Sequence, residues 1–476
     1  QKQTPLLDST LTPVYPLTTG ITQNKIKLWV GQALDTLRAT VINDYFERIA
    51  KNTMPNLKDS LYLLHHPRKG EDLTSISNFK HIAQQRLIIE ELAAHQLNLL
   101  LIKARRKTQK SSIFSIHDNL PNQLMESLDF QLTSAQLRCI GEINQDMSSP
   151  QPMLRLLQGD VGSGKTIVAV FTLLQAVGNN FQTAIMAPTE ILAQQHLQSF
   201  TSYLDHLGIK VAFLSGSQNT EERRMQINLI ASGKAQIVIG THALFQESVS
   251  FNNLGLVIID EQHKFGVHQR LSLVQKAKKV PHQLVMTATP IPRSLTMSAY
   301  ADLDTSVIDE LPPGRQKIET IALSNNRRDE VVERIKKVCT EGKQIYWVCT
   351  LIEESEELRA ESAEKTYSYL SKKLEGIKVV MIHGRLNKVE KEIIMQDFAN
   401  GKINVLVATT VIEVGLNVLN ASLMIVENAE RLGLAQLHQL RGRVGRGSEK
   451  SVCVLMYQSP LSDSAKQRLD ILRHSN

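Results

Sequence analysis

The sequence predicts an α/β fold of two lobes with parallel sheets, preceded by a helical N-terminal segment. Three observations carry that prediction. From Phe130 onward, short apolar runs alternate with amphipathic stretches, the pattern of a parallel sheet covered by helices. The runs fall into two series: 153–158, 183–187, 211–214, 236–240, 255–259 and 283–287, then 344–349, 377–382, 404–408, 422–426 and 451–457. Between them lies a turn-rich segment, Leu311-Pro-Pro-Gly-Arg315, and only the first series carries a phosphate-binding loop. The natural parse is a helical segment over residues 1–115, a first lobe over 116–312 and a second lobe over 313–476.

Size and composition agree with this parse. A chain of 476 residues holds about three domains. Its 42% hydrophobic and 21% charged residues describe an ordinary globular protein. The net charge of +7 leans towards a polyanionic partner. No apolar run approaches the roughly 20 residues that span a bilayer, and the start does not read as a signal peptide. Cys139, Cys339, Cys349 and Cys453 are scattered without a C-x-x-C pair. They read as reduced, partly buried thiols of a cytoplasmic protein, not as a metal site or disulfide frame. Nothing in the sequence indicates an oligomer.

In order, residues 1 to about 20 are rich in Pro and Thr and read as an extended lead-in. A period near 3.6 over Ile21–Ile49 suggests one or two helices, and Leu57–His66 and Asn78–Arg106 are helical in pattern too. The last places Ile82, Leu87, Ile88, Leu92, Leu97 and Leu100 on a broad apolar face. It ends in a basic run, Lys103 to Lys110, that reads as a solvated helix end or as a phosphate contact.

The chemistry begins at Gly159-Asp-Val-Gly-Ser-Gly-Lys-Thr166, which fits G-x-x-x-x-G-K-[ST] between an apolar strand and an apolar helix. Gly159, Gly162 and Gly164 let backbone N–H groups curl around an anion at a helix N-terminus. Lys165 then reaches the β- and γ-phosphates of ATP, and the Thr166 hydroxyl binds Mg²⁺. Leu256-Val-Ile-Ile259 leads to Asp260 and Glu261, the place of the Walker B acids: Asp260 for Mg²⁺, Glu261 to polarise the attacking water. His263 reads as a link towards Thr287-Ala-Thr289, whose hydroxyls end another strand on the same edge or simply cap its turn. Upstream, Phe130 and Gln136 offer a ring and an amide for stacking on and reading adenine; Thr133 or Ser134 also reads as a helix N-cap, and both readings are compatible. In the second lobe, Arg441, Arg443 and Arg446 crowd around glycines with no acid among them. Arg443 and Arg446 suit fingers on a γ-phosphoryl in transit, with a DNA phosphate clamp as the competing role. One lobe thus binds the triphosphate, the other supplies arginines, and turnover couples to lobe motion.

Together these segments resemble superfamily 2 helicases, and more closely the RecG family of bacterial branched-DNA helicases. The resemblance rests on Met153–Thr166, Met186-Ala-Pro-Thr-Glu-Ile-Leu-Ala193, Gly240-Thr-His-Ala-Leu244, Asp260-Glu-Gln-His-Lys-Phe-Gly-Val267 and Met286-Thr-Ala-Thr-Pro-Ile-Pro-Arg293. In the second lobe it rests on Ile382-His-Gly384, Ala408-Thr-Thr-Val-Ile-Glu-Val-Gly415, Glu427-Asn-Ala-Glu-Arg-Leu-Gly433 and the arginine segment. It implies two RecA-like P-loop lobes and an ATP- and Mg²⁺-dependent helicase or translocase that remodels forks and other branched DNA in repair and recombination. It also implies a sequence-independent DNA track along Pro188, Thr189, Gly240, Thr241, Thr409 and Thr410, with His383 and Arg385 near the same groove. Lys264, Asn417 and Leu419 stand where the family typically has Arg, Asp and Pro. The chain opens at Gln1, not Met. The resemblance implies a preceding OB-fold wedge and a coupling segment after Asn476, neither within this sequence. Two alternatives stand beside this reading: a related duplex translocase of the transcription-repair coupling type, and a poorly active remnant that binds DNA and ATP.

Overall fold

The computed structural model describes residues 13–50, 53–67, 70–261, 273–287, 303–310, 312, 317–350, 356–409, 418, 420–445 and 450–474. The chain divides into two compact units, Gln1–Ala104 and Arg105–Asn476.

The first unit is helical: α1 (Gln23–Ala39), α2 (Tyr45–Ala50), α3 (Leu57–His65), α4 (Leu73–Ser77) and most of α5 (Ile82–Lys107). One carboxylate ties these helices together. Asp44 accepts N–H groups at the start of α2 (Phe46 and Glu47, each 3.1 Å) and at the start of α3 (Leu57, 2.9 Å), and it pairs with Arg86 of α5 at 2.7 Å. Burial works against its charge, but those N–H groups and the fully buried Arg86 guanidinium outweigh it and keep the carboxyl below its ordinary range. Of the apolar face read on α5, Ile82, Ile88, Leu92, Leu97 and Leu100 are exposed, while Ala83 and Arg86 form its buried side.

The second unit holds both lobes. After α6 (Asn119–Ser127) and α7 (Ser134–Met147) come β1 (Leu154–Gly159), α8 (Lys165–Gly178), β2 (Gln182–Met186), α9 (Glu190–Leu204), β3 (Val211–Leu214), α10 (Thr220–Ala231), β4 (Ile237–Gly240), β5 (Leu254–Asp260), β6 (His282–Thr287) and β7 (Asp304–Ile308). Lobe 2 adds β8 (Glu319–Ser324), α11 (Arg328–Thr340), β9 (Gln344–Cys349), α12 (Glu356–Lys373), β10 (Val379–Ile382), α13 (Lys388–Ala399), β11 (Val405–Thr409), β12 (Ala421–Glu427), α14 (Leu434–Arg441), β13 (Val452–Tyr457) and α15 (Asp463–His474). The strands form two sheets, β3-β4-β2-β5-β6-β1-β7 and β10-β11-β9-β12-β13-β8. Every described pairing is parallel.

Both faces of each sheet are covered, so the strands need continuous apolar runs. In β5, Leu256 and Ile258 pack towards α8, while Val257 and Ile259 pack on the opposite side with Ile230 of α10. In β9, Tyr346 and Val348 face one core and Ile345 and Trp347 the other. Helix α8 is buried from Ile167 to Val177, which suits an element apolar all round. Each run read from the sequence lies on a strand. Two strands, β7 and β8, have no such run: each is one edge of its sheet, and Asp304-Thr-Ser-Val-Ile308 and Glu319-Thr-Ile-Ala-Leu-Ser324 are only partly apolar. The turn read at 311–315 lies, apart from Pro312, outside the described residues.

Candidate nucleotide site and nucleic-acid track

Parallel pairing levels the carboxyl ends of three strands. Gln158 of β1 is in register with Thr287 of β6, and Asp260 of β5 with Met286 of β6. The P-loop, the acidic pair and Thr287 therefore share one edge, where open α/β sheets bind ligands.

The P-loop turns through left-handed backbone at Gly162 (φ 78°) and Gly164 (φ 89°), a conformation glycine adopts without strain. A side chain at Gly164 would also collide with Gln136, whose Nε2 lies 2.1 Å from where a Cβ would sit. Gln136 is buried. Its amide oxygen accepts the Thr133 N–H at 2.9 Å, completing a capping box for α7, and its Nε2 donates to the Ser163 carbonyl at 2.9 Å. It thus braces the loop from below, while Phe130 is 44% exposed nearby in sequence. Lys165 Nζ donates to the carbonyls of Gly159 (2.7 Å) and Asp160 (2.8 Å), and Thr166 follows it in the first turn of α8.

Asp260 ends β5 and meets His196 Nε2 at 2.8 Å. Burial alone would raise its pKa. The His196 hydrogen bond, the nearby positive groups and the Glu261 N–H reverse that and hold the carboxyl below its usual range. Glu261 takes a left-handed backbone (φ 51°), fixed by its N–H on the Met286 carbonyl at 2.9 Å. Its carboxylate accepts the Thr287 hydroxyl at 3.4 Å. A non-glycine residue in that region stores strain, as active-site residues often do. Glu261 thus joins the acidic motif to Thr287; His263, read as the link, and Thr289 lie outside the described residues.

Lobe 2 reaches this edge through α14 and the residues after it. His438 Nε2 lies 3.2 Å from Asp160 Oδ1, and a Cβ built on Gly442 would lie 2.9 Å from Val161 Cγ2. Arg441 is buried; it donates to the Leu472 carbonyl at 3.1 Å and to His438 Nδ1 at 3.0 Å, so it supports the segment. Arg443 is half-buried two residues on from Arg441, and Arg446 lies outside the described residues.

The residues read as a DNA track occupy strand ends. Thr189 caps α9, accepting the Leu192 N–H at 3.3 Å, with Pro188 half-buried before it. Gly240 ends β4 where a Cβ would lie 2.4 Å from the Leu214 carbonyl oxygen. Next to it, Thr241 carries a buried hydroxyl with no partner among the described residues, as does Thr409 at the end of β11 and Nδ1 of His383 after β10. Thr410, Lys264, Asn417 and Leu419 lie outside the described residues. Such orphaned groups are expensive unless something pairs with them.

The reading of the sequence passed over His196, Asp160 and His438 as functional side chains. Local signals existed: His196 sits two turns after Thr189 on one helix, and His438 precedes Arg441 by three, the spacing of helical neighbours.

Comparison with known proteins agrees with the two-lobed fold. The model of the DEAD/DEAH box helicase family matches residues 133–298, and that of the helicase conserved C-terminal domain matches 324–448. The ATP-dependent DNA helicase RecG of Escherichia coli K12 is 52% identical over 99% of this chain and 69% of its own length. The Haemophilus influenzae RecG is 51% identical over 99% of this chain and 68% of its own. A solved structure of RecG bound to a three-way DNA junction superposes with a TM-score of 0.78 at 40% identity, covering 98% of this chain and 61% of that one. The chain belongs to the RecG family of ATP-dependent DNA helicases.

Proposed function

We propose that this chain hydrolyses ATP between its two lobes and converts the resulting lobe motion into movement along branched DNA, such as stalled forks and Holliday junctions. The observation that carries this reading is the docking of the arginine-bearing segment of lobe 2 on the P-loop of lobe 1, Gly442 against Val161. Chemistry that opens or closes that contact moves one lobe against the other.

Lys165 leaves the carbonyls of Gly159 and Asp160 to bind the β- and γ-phosphates, and the loop N–H groups hold the rest of the chain of phosphates. Asp260, kept ionised, and the Thr166 hydroxyl are a donor set that suits Mg²⁺, which takes one or two carboxylates together with substrate phosphates. This needs no larger cluster, and none of three or more His, Cys, Asp or Glu occurs among the described residues. Bound there, Mg²⁺ neutralises charge on the phosphate oxygens. Glu261 orients and polarises the attacking water, Arg443 and Arg446 stabilise charge on the γ-phosphoryl, and Phe130 and Gln136 flank the adenine. Along the track, Pro188, Thr189, Gly240, Thr241, His383, Thr409 and Thr410 meet DNA phosphates; the hydroxyls of Thr241 and Thr409, without a partner among the described residues, favour this role. Among the described residues, no helix is long and apolar enough to cross a membrane.

The test is the steady-state ATPase rate without DNA and with single strands, duplex and a model fork, beside Lys165→Ala. Hydrolysis stimulated most by the fork, and reduced about a hundredfold or more in Lys165→Ala while DNA binding persists, is expected. A folded chain that hydrolyses no ATP with any DNA contradicts the reading.

A further inference from the structure

The contact between His438 and Asp160 has a definite proton arrangement. An arginine guanidinium donates hydrogen bonds and accepts none. Arg441 Nη2 lies 3.0 Å from His438 Nδ1, so that nitrogen presents its lone pair. The ring proton therefore sits on Nε2, which donates to Asp160 Oδ1 at 3.2 Å. The His438 ring is oriented from behind by a buried arginine that is itself anchored on the Leu472 carbonyl.

Asp160 is itself a residue of the P-loop. Its backbone carbonyl accepts Lys165 Nζ at 2.8 Å, the bond that must break when the lysine moves to a phosphate. Its side chain meets His438, on the helix that ends at Arg441 and is followed by Gly442 and Arg443. One short chain of contacts thus joins the lysine of lobe 1 to the arginine segment of lobe 2.

We propose that His438 is a positioning residue for ATP hydrolysis, which through its Nε2–H on Asp160 sets the arginine segment against the P-loop. This rests on the reading that ATP binds the P-loop, and it adds to that reading a histidine that touches neither nucleotide nor metal. Because the role is to place a group that acts in the transition state, its loss lowers kcat and leaves ATP affinity nearly unchanged.

The test uses the whole chain. His438→Ala should lower DNA-stimulated kcat about tenfold or more, with KM for ATP within about twofold. His438→Gln places an amide N–H where Nε2–H was and should recover most of the rate. Asp160→Ala combined with His438→Ala should be no worse than Asp160→Ala alone, since both break one link. Nitrogen NMR of histidine-labelled protein, with the His438 signal assigned by its absence in His438→Gln, should show a neutral Nε2–H ring near pH 7.5. That readout does not depend on turnover, so an inactive wild-type chain would count against the function while the tautomer still tests the contact. A His438→Ala chain with wild-type kcat, additive effects in the double variant, or an Nδ1–H or imidazolium ring overturns the inference.

Discussion

His196 Nε2 lies 2.8 Å from Asp260 Oδ2, which ties the helix capped by Thr189 to the carboxylate at the end of β5. The helix capped by Thr189, a residue proposed to meet DNA, thus places its second turn on the acid proposed for Mg²⁺. A shift of α9 on DNA has a direct path to the ATP site.

Replacing that histidine leaves a largely buried carboxylate without its nearest partner. His196→Ala is expected to cost about 1–3 kcal/mol of stability in denaturant unfolding. It should also lower DNA-stimulated ATPase while raising the Mg²⁺ concentration needed for half-maximal rate. Unchanged Mg²⁺ dependence would place His196 outside the control of Asp260.

Gly442 has an ordinary helical backbone, so an added methyl meets only its neighbours. Those are Val161 Cγ2 at 2.9 Å and Val161 Cβ at 3.1 Å, a branched side chain with little room to turn away. Gly442→Ala should therefore fold normally but push the lobes apart and reduce turnover about fivefold or more. Adding Val161→Ala removes the obstructing atoms and should restore much of the rate. Failure of that restoration would show that the methyl acts elsewhere.

His282 is fully buried, accepts the Met153 N–H on Nδ1 at 3.1 Å and donates from Nε2 to the Ser112 carbonyl at 2.8 Å. Burial pushes its pKa below the ordinary histidine value, and protonation would also cost it the Met153 bond. The unfolded chain takes up a proton near pH 6.5 that the folded chain resists, so stability is full above that pH and falls below it. His65, lowered chiefly by burial, has the same sign. Asp44, Asp160 and Asp260, held low, add stability that is lost only below about pH 4. Urea midpoints should drop between pH 7.5 and 5.5, and His282→Gln should flatten that slope; an equal slope in the variant contradicts this account.

All four cysteines are buried thiols. Burial pushes Cys139 and Cys339 up to about 11, Cys453 up to about 12, and Cys349 well above its ordinary value. The thiolate is the reactive form, so a thiol reagent at pH 7.5 should modify the native protein slowly and all four positions rapidly in denaturant. Rapid native reaction at any one of them would contradict its burial.

The central strands and the P-loop were legible because both report local chemistry. A strand covered on both faces must be apolar along its length, as Leu254–Ile259 and Ile345–Val348 are, and a loop that wraps phosphate needs glycine at Gly162 and Gly164. Edge strands β7 and β8 carry mixed residues and so leave no apolar run, whereas the edge strands β3 and β10, Val211–Leu214 and Val379–Ile382, are apolar enough to show. The exposed leucines of α5 show the converse: a helical period of apolar residues fixes a face, but not what that face meets.

Motif spacing and apolar periodicity are properties of the chain, so the family, the two parallel-sheet lobes and the residue types that handle phosphate can be read along it. Which side chains complete the site depends on how the chain folds back on itself. His196 is 64 residues from Asp260, and His438 is 278 from Asp160. Their hydrogen bonds depend on where strands and lobes bring distant segments together, and a contact of about 3 Å leaves no periodic trace in the intervening sequence.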